Sequence, residues 1–226
     1  MLANRPLFLA AVLLSCSLLS GCITPQSFVD PSVPKVSYGD LDKPAEPLAL
    51  RLSVEFQRNG TPYPRADPIL RDNTERVLRS SGLIIPADLN ASGDVRVVVN
   101  NVGDIADARA KGFGTGLTFG LAGSTVMDGY ELTIAITVDG ATATRTAIKH
   151  AIYTAIGNTT LPPGVEPVPP NVAFGRVLEQ MLLRALQEMQ KAGELAFKGG
   201  VTPRATGRPP GGGVSMDDLK DLLPGK

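Results

Sequence analysis

The chain has 226 residues with 22 basic and 22 acidic side chains, so its formal charge is zero, and it contains no Trp. A neutral chain lacks the basic footprint of a nucleic-acid binder, and 5% aromatic residues without Trp offer little for stacking sugars. Its two cysteines, Cys16 and Cys22, both lie near the N-terminus, so a domain further along is held by packing, without a disulfide.

Arg5 precedes the apolar run Leu-Phe-Leu-Ala-Ala-Val-Leu-Leu at residues 7–14, and small or apolar residues lead on to Cys22. This is the layout of a secretory signal. The run falls short of the roughly 20 apolar residues that a membrane-spanning helix needs. Leu19-Ser20-Gly21-Cys22 resembles the lipobox of bacterial lipoproteins. The resemblance implies a signal peptide at 1–21, cleavage before Cys22, diacylglycerol on its sulfur and often a further acyl chain, such as palmitate, on the new amino group. Two acyl chains anchor firmly where one is marginal. Ile23 stands where an aspartate would resemble an inner-membrane retention signal. The expected location is therefore the outer membrane, facing the periplasm, or the outer face of the cell membrane in a cell with only one.

Residues 22–47 contain Pro25, Pro31, Pro34, Pro44 and Pro47 and no sustained apolar period. They read as a lipidated, Pro-rich tether, averaging about 25–30 Å end to end and stretching to roughly 80 Å. Leu48, Leu50, Leu52, Val54 and Phe56 then alternate with more polar residues, the pattern of a half-buried strand. Asn59-Gly60 ends it. Asp67-Pro68 opens a helix, with Asp67 as its cap, Ile69, Leu70, Val77 and Leu78 on its inner face and Gly82 at its end. Val95, Val97 and Val99 mark a second strand, and strand–helix–strand order implies that it runs parallel to the first.

The pattern breaks between residues 103 and 129. Gly112, Gly114, Gly116, Gly120 and Gly123 interleave with Phe113, Leu117, Phe119 and Leu121. Only residues 112–127 lack charge, too few for a helical span, so the stretch reads as a glycine-permissive loop presenting a four-residue apolar contact patch.

Tyr130, Leu132, Ile134, Ile136 and Val138 share one face of a third strand, and Asp139-Gly140 signals a hairpin. A two-residue turn puts Arg145 and Lys149 on the face of Leu132 and Ile134. A three-residue turn, Asp139-Gly140-Ala141, pairs Val138 with Thr142, Ile134 with Thr146, Leu132 with Ile148, Glu131 with Lys149 and Tyr130 with His150. The buried face sets register, so the three-residue turn is the expectation.

A Pro-rich loop at 157–170 leads to a helix capped by Asn171, with Phe174, Val177, Leu178, Met181, Leu182, Ala185 and Met189 on its apolar stripe and Gly193 near its end. Residues 199–214 form a Gly/Pro linker. Residues 215–226 are a short amphipathic tail, where Ser215 and Asp218 suit a capping box and Met216, Leu219, Leu222 and Leu223 share a helical face.

The sequence holds no HExxH, Cys-x-x-Cys, Walker loop or G-x-S-x-G elbow. No cofactor, metal site or catalytic set is expected. His150 is the only histidine; Asp128 or Glu131 are its candidate partners, and a hydrogen-bonded strand histidine is the commoner arrangement.

The elements give an α+β domain at 48–198, a mixed four-stranded sheet with two helices on one face in the order β-α-β-β-β-α. Over residues 48–192 this order resembles the small domain of envelope accessory lipoproteins: the curli-export lipoprotein, the lipoprotein activators of penicillin-binding proteins and the N-terminal domain of TolB. The resemblance implies a non-enzymatic accessory or assembly subunit, held to the membrane through lipid on Cys22, that binds an envelope protein complex or further copies of itself. The expected contact residues are Phe113, Leu117, Phe119 and Leu121 in the Gly-rich stretch and Met216, Leu219, Leu222 and Leu223 in the tail. A binder of a small apolar ligand or lipid, using an apolar pocket beside the Gly-rich stretch, is the alternative, and a hydrolase using His150 the weaker one.

Overall fold

The computed structural model describes residues 26–103, 124–156 and 161–195. The strands are β1 (Gln26–Val29), β2 (Leu48–Arg58), β3 (Thr61–Pro62), β4 (Ile84–Pro86), β5 (Gly93–Val102), β6 (Ser124–Val138) and β7 (Ala141–Ile156); the helices are α1 (Asp67–Ser81) and α2 (Pro170–Lys191). Among the described residues they build one mixed sheet of seven strands, ordered β1-β7-β6-β5-β2-β3, with β4 also on β2. The α+β class is as expected, but the sheet has seven strands rather than four. The extra strands have 4, 2 and 3 residues, too short to establish a period.

β2 and β5 pair in parallel, with Leu52 opposite Val95, Val54 opposite Val97 and Phe56 opposite Val99. Val95, Val97 and Val99 are fully buried with Leu132 and Ile134 of β6 beneath both helices. In α1 the buried stripe is Leu70, Thr74, Val77, Leu78 and Ser81. The expectation for Ile69 is corrected: it is 58% exposed, because a helix turns about 100° per residue and the stripe through Leu70 leaves its neighbour outside. Gly82 has φ 72°, the left-handed conformation that ends α1. Helix α2 starts one residue before Asn171, since the Pro169 carbonyl already accepts from Val172 and Ala173 at 3.0 Å each. Its stripe from Val177 to Met189 is buried, while Phe174 is half-buried against Phe56 and Tyr130.

Residues 26–47 are not a free tether. β1 lies antiparallel to β7, and Ser27 also bridges Val168 on its other side. Beyond β1 the chain follows α2, which holds it by its backbone. Gln180 accepts from the Val36 N–H at 2.8 Å and donates to the Val36 carbonyl at 3.1 Å. Gln190 does the same at Asp42, at 3.1 and 2.6 Å, and Arg184 donates to the Pro34 carbonyl at 2.6 Å. Val36 and Leu41 complete the attachment by entering the main core.

β6 begins at Ser124, six residues before the expected Tyr130, so it takes in the end of the Gly-rich stretch. Phe28, Val102, Ala151 and Tyr153 form a second cluster on the sheet face away from the helices, with Phe28 and Tyr153 stacked at 5.4 Å.

The β6–β7 hairpin corrects the expected register in half its length. Val138 pairs with Ala141, so the turn has two residues, Asp139 and Gly140, at φ 51° and 82°. Ile134 faces Arg145 rather than Thr146, yet Leu132 faces Ile148, Glu131 faces Lys149 and Tyr130 faces His150, as the buried face requires. The extra residue sits in a bulge, where Thr146 and Ala147 oppose Thr133 alone.

Candidate functional site

A concave candidate lies where β1, β7, the start of α2 and the loop at 161–168 converge. It encloses about 420 Å³, with Asp30, Lys35, His150, Glu166, Arg176 and Gln180 among its lining. Asp30 follows β1 and is fixed by its N–H to the Ala151 carbonyl, at 3.0 Å. Its Oδ1 accepts from the Ser32 N–H at 2.9 Å and the Ser32 hydroxyl at 2.6 Å, closing a local turn. Arg176, on the first turns of α2, makes a forked contact to Glu166 at 3.0 and 3.3 Å. Those bonds hold the Glu166 carboxyl below its usual pKa.

His150 is 3% exposed on β7. Its Nδ1 accepts from the Ala151 N–H at 2.9 Å, which leaves the ring proton on Nε2. Burial pushes its pKa down to about 4; the charge of Asp30 opposes the shift and Arg184 adds to it. Near neutral pH the ring is therefore an uncharged donor. A general base needs a free acceptor nitrogen, and in this tautomer the acceptor already faces the backbone. Among the described residues, the cleft lining contains no Ser, Thr or Cys. His150 and Lys35 bring donors and Asp30 an acceptor to the lining of the cleft.

Glu131 pairs across the sheet with Lys149 and Asp128 with Ile152, and neither lines the cleft. The acidic neighbour of His150 is Asp30 instead. Sequence reasoning missed it because it sits in the segment read as tether. Its one local signal is Asp30-Pro31-Ser32, a turn sequence. Above the cleft, Tyr38 donates to Glu179 at 3.0 Å, and burial with that carboxylate pushes its pKa up to about 12. Tyr130 is also pushed up, by burial first and then by Asp128.

A second cavity of about 390 Å³ lies at the hairpin end, lined by Leu48, Ile136, Val138, Ala143 and Leu195 with Asp139 and Glu194 at its polar side. Cys22, Phe113, Leu117, Phe119, Leu121, Met216, Leu219, Leu222 and Leu223 lie outside the described residues, as do the linker at 199–214 and the tail. Among the described residues no group of three or more His, Cys, Asp or Glu is placed to hold a metal ion, and no helix is long and apolar enough to cross a membrane.

The fold and the cleft define a mixed α+β domain whose N-terminal segment is built into its sheet. No protein-family model matches the chain, and no curated protein matches it.

Proposed function

We propose that this chain is a lipid-anchored lipoprotein of the outer membrane whose domain binds envelope protein partners rather than catalysing a reaction. The observation that carries this reading is Leu19-Ser20-Gly21-Cys22, placed behind Arg5 and a short apolar run. The engaged Nδ1 of His150 argues against the hydrolase alternative. The contact residues proposed are Phe113, Leu117, Phe119 and Leu121, with Met216, Leu219, Leu222 and Leu223 in the tail. Metabolic palmitate labelling of wild type and Cys22→Ser tests the anchor: label in wild type and none in the variant is expected, and equal label in both overturns it. Crosslinking in intact cells tests the docking role. Phe113→Ser with Phe119→Ser is expected to remove crosslinked partners while the domain stays folded; an unchanged crosslinking pattern removes these residues from the contact.

The apolar-ligand alternative is favoured by one observation, the cavity of about 390 Å³ beside Leu48 and Val138. Lipid retained by the purified chain in native mass spectrometry, and lost in Val138→Trp, supports it.

A further inference from the structure

The sheet has two ends with different surfaces. At one end Gln26 opens β1 opposite Ala155 of β7, which lies opposite Thr125 of β6. The β2–β3 turn is at this same end, since the Asn59 N–H donates to the Asn101 carbonyl and the Gly60 N–H to Asn100 Oδ1, at 2.8 Å each. At the other end Gly93 of β5 faces Val138, beside the Asp139-Gly140 turn. The 11 residues of β2 run between the two ends, about 35 Å at roughly 3.3 Å per residue.

We infer that the β1 end of the sheet is the membrane-facing surface, and that the domain stands on the bilayer with its Asp139 end outward. The inference rests on the lipobox reading of Cys22. Cys22 precedes Gln26 by four residues, a reach of at most about 14 Å. Because residues 26–47 are built into the domain, that reach is not extended by a tether. The charges of the two ends agree with this choice of end. Exposed Arg58 and Arg65 flank Tyr63, itself 42% exposed, at the β1 end. Anionic headgroups attract such basic residues, and tyrosine favours the headgroup level. The turns at the far end carry the exposed acids Asp88, Asp94 and Asp139, with Arg51 meeting Asp94 at 3.4 Å. An anionic surface repels that end. The partner is thus the headgroup layer of the bilayer that holds the acyl chains.

The test uses the acylated full chain in vesicles of phosphatidylethanolamine and phosphatidylglycerol. Cys22 is the one cysteine after the expected cleavage point, so a single introduced cysteine takes a fluorophore selectively. Thr61→Cys reports the β1 end and Leu89→Cys the far end; both sites are exposed. Quenching by spin-labelled lipid is expected to be at least 5-fold stronger at position 61, and adding Arg58→Glu with Arg65→Glu is expected to reduce that ratio to below 2. Equal quenching at the two positions, or stronger quenching at 89, overturns the orientation. Palmitate label on the same preparations separates the two levels: a labelled chain with equal quenching loses the orientation alone, whereas an unlabelled wild-type chain loses the anchor and the orientation together.

Discussion

Leu132 and Ile148 face each other across β6 and β7 because β7 holds one residue more than β6 between this pair and the turn. The surplus is absorbed at Thr146 and Ala147, and Ala147 carries it at φ 57°. The bulge reverses the faces along β7. On the turn side Arg145 points inward, where it reaches the end of α2 and donates to the Glu188 carbonyl at 3.2 Å and to Glu194 at 2.7 Å. On the other side Lys149 shares a register position with Glu131, away from the helices. Among the described residues, the edge of β7 away from β6 is paired only at the four positions that β1 covers, so the bulge and the two cations interrupt that edge.

The bulge predicts opposite outcomes for two substitutions at one position. Ala147→Gly removes left-handed strain of about 1 kcal/mol and is expected to hold or raise the urea midpoint. Ala147→Val places a β-branched residue in that conformation and is expected to destabilise by about 1–3 kcal/mol. Equal losses for both would mean that residue 147 is not left-handed.

Gly93 predicts a loss by collision rather than by strain. A Cβ there would lie 2.0 Å from the Thr137 carbonyl oxygen, which is backbone and cannot swing aside. Gly93→Ala is expected to cost about 2 kcal/mol or more. Gly140→Ala meets nothing within 4 Å but takes on a φ of 82°, and is expected to cost about 1 kcal/mol. Denaturant melts of the two variants check the order.

Asp67 predicts a strand defect rather than a helix defect. Its Oδ1 accepts from the Phe56 N–H at 2.7 Å, on the outer side of β2 where Arg71 also donates to the Leu52 carbonyl at 3.1 Å. Asp67→Ala is expected to cost about 1.5–3 kcal/mol, the range for a bond to a charged acceptor, and Asp67→Asn clearly less. Hydrogen exchange locates the effect: the Phe56 amide is expected to lose protection before the amides of α1 do.

His150 predicts an acid-side loss of stability. Its folded pKa of about 4 lies below the ordinary 6.5, so between these values the unfolded chain binds the proton and the folded chain does not. Stability is unaffected above pH 6.5, falls as pH drops from 6.5 to 4, and has lost about 3 kcal/mol from this group at the lower limit. His150→Gln, which keeps an acceptor for the Ala151 N–H, is expected to flatten the slope in that window. An unchanged slope in the variant would mean that the ring is not buried neutral.

Elements with a long, regular apolar period could be read from the residues alone. β2 through Leu50 and Leu52, β5 through Val95, Val97 and Val99, and α2 through Val177, Leu178, Met181 and Leu182 were legible because each buries one face over several turns or pleats. The glycines ending both helices, Gly82 and Gly193, were legible because a left-handed cap favours that residue. Other features depend on contacts between residues far apart in the chain. Residues 26–47 look unstructured because Gln180, Arg184 and Gln190 hold their backbone, and a held backbone leaves no signature in the residues that receive the bonds. For the same reason Asp30 and His150, 120 positions apart in the chain, meet at one cleft that neither local sequence announces. The hairpin shows the boundary most clearly. The buried face dictated that Leu132 must meet Ile148, but turn and bulge could each supply the extra residue. The selected two-residue turn matches strand twist through Asp139 and Gly140, and it turns Arg145 toward the end of α2.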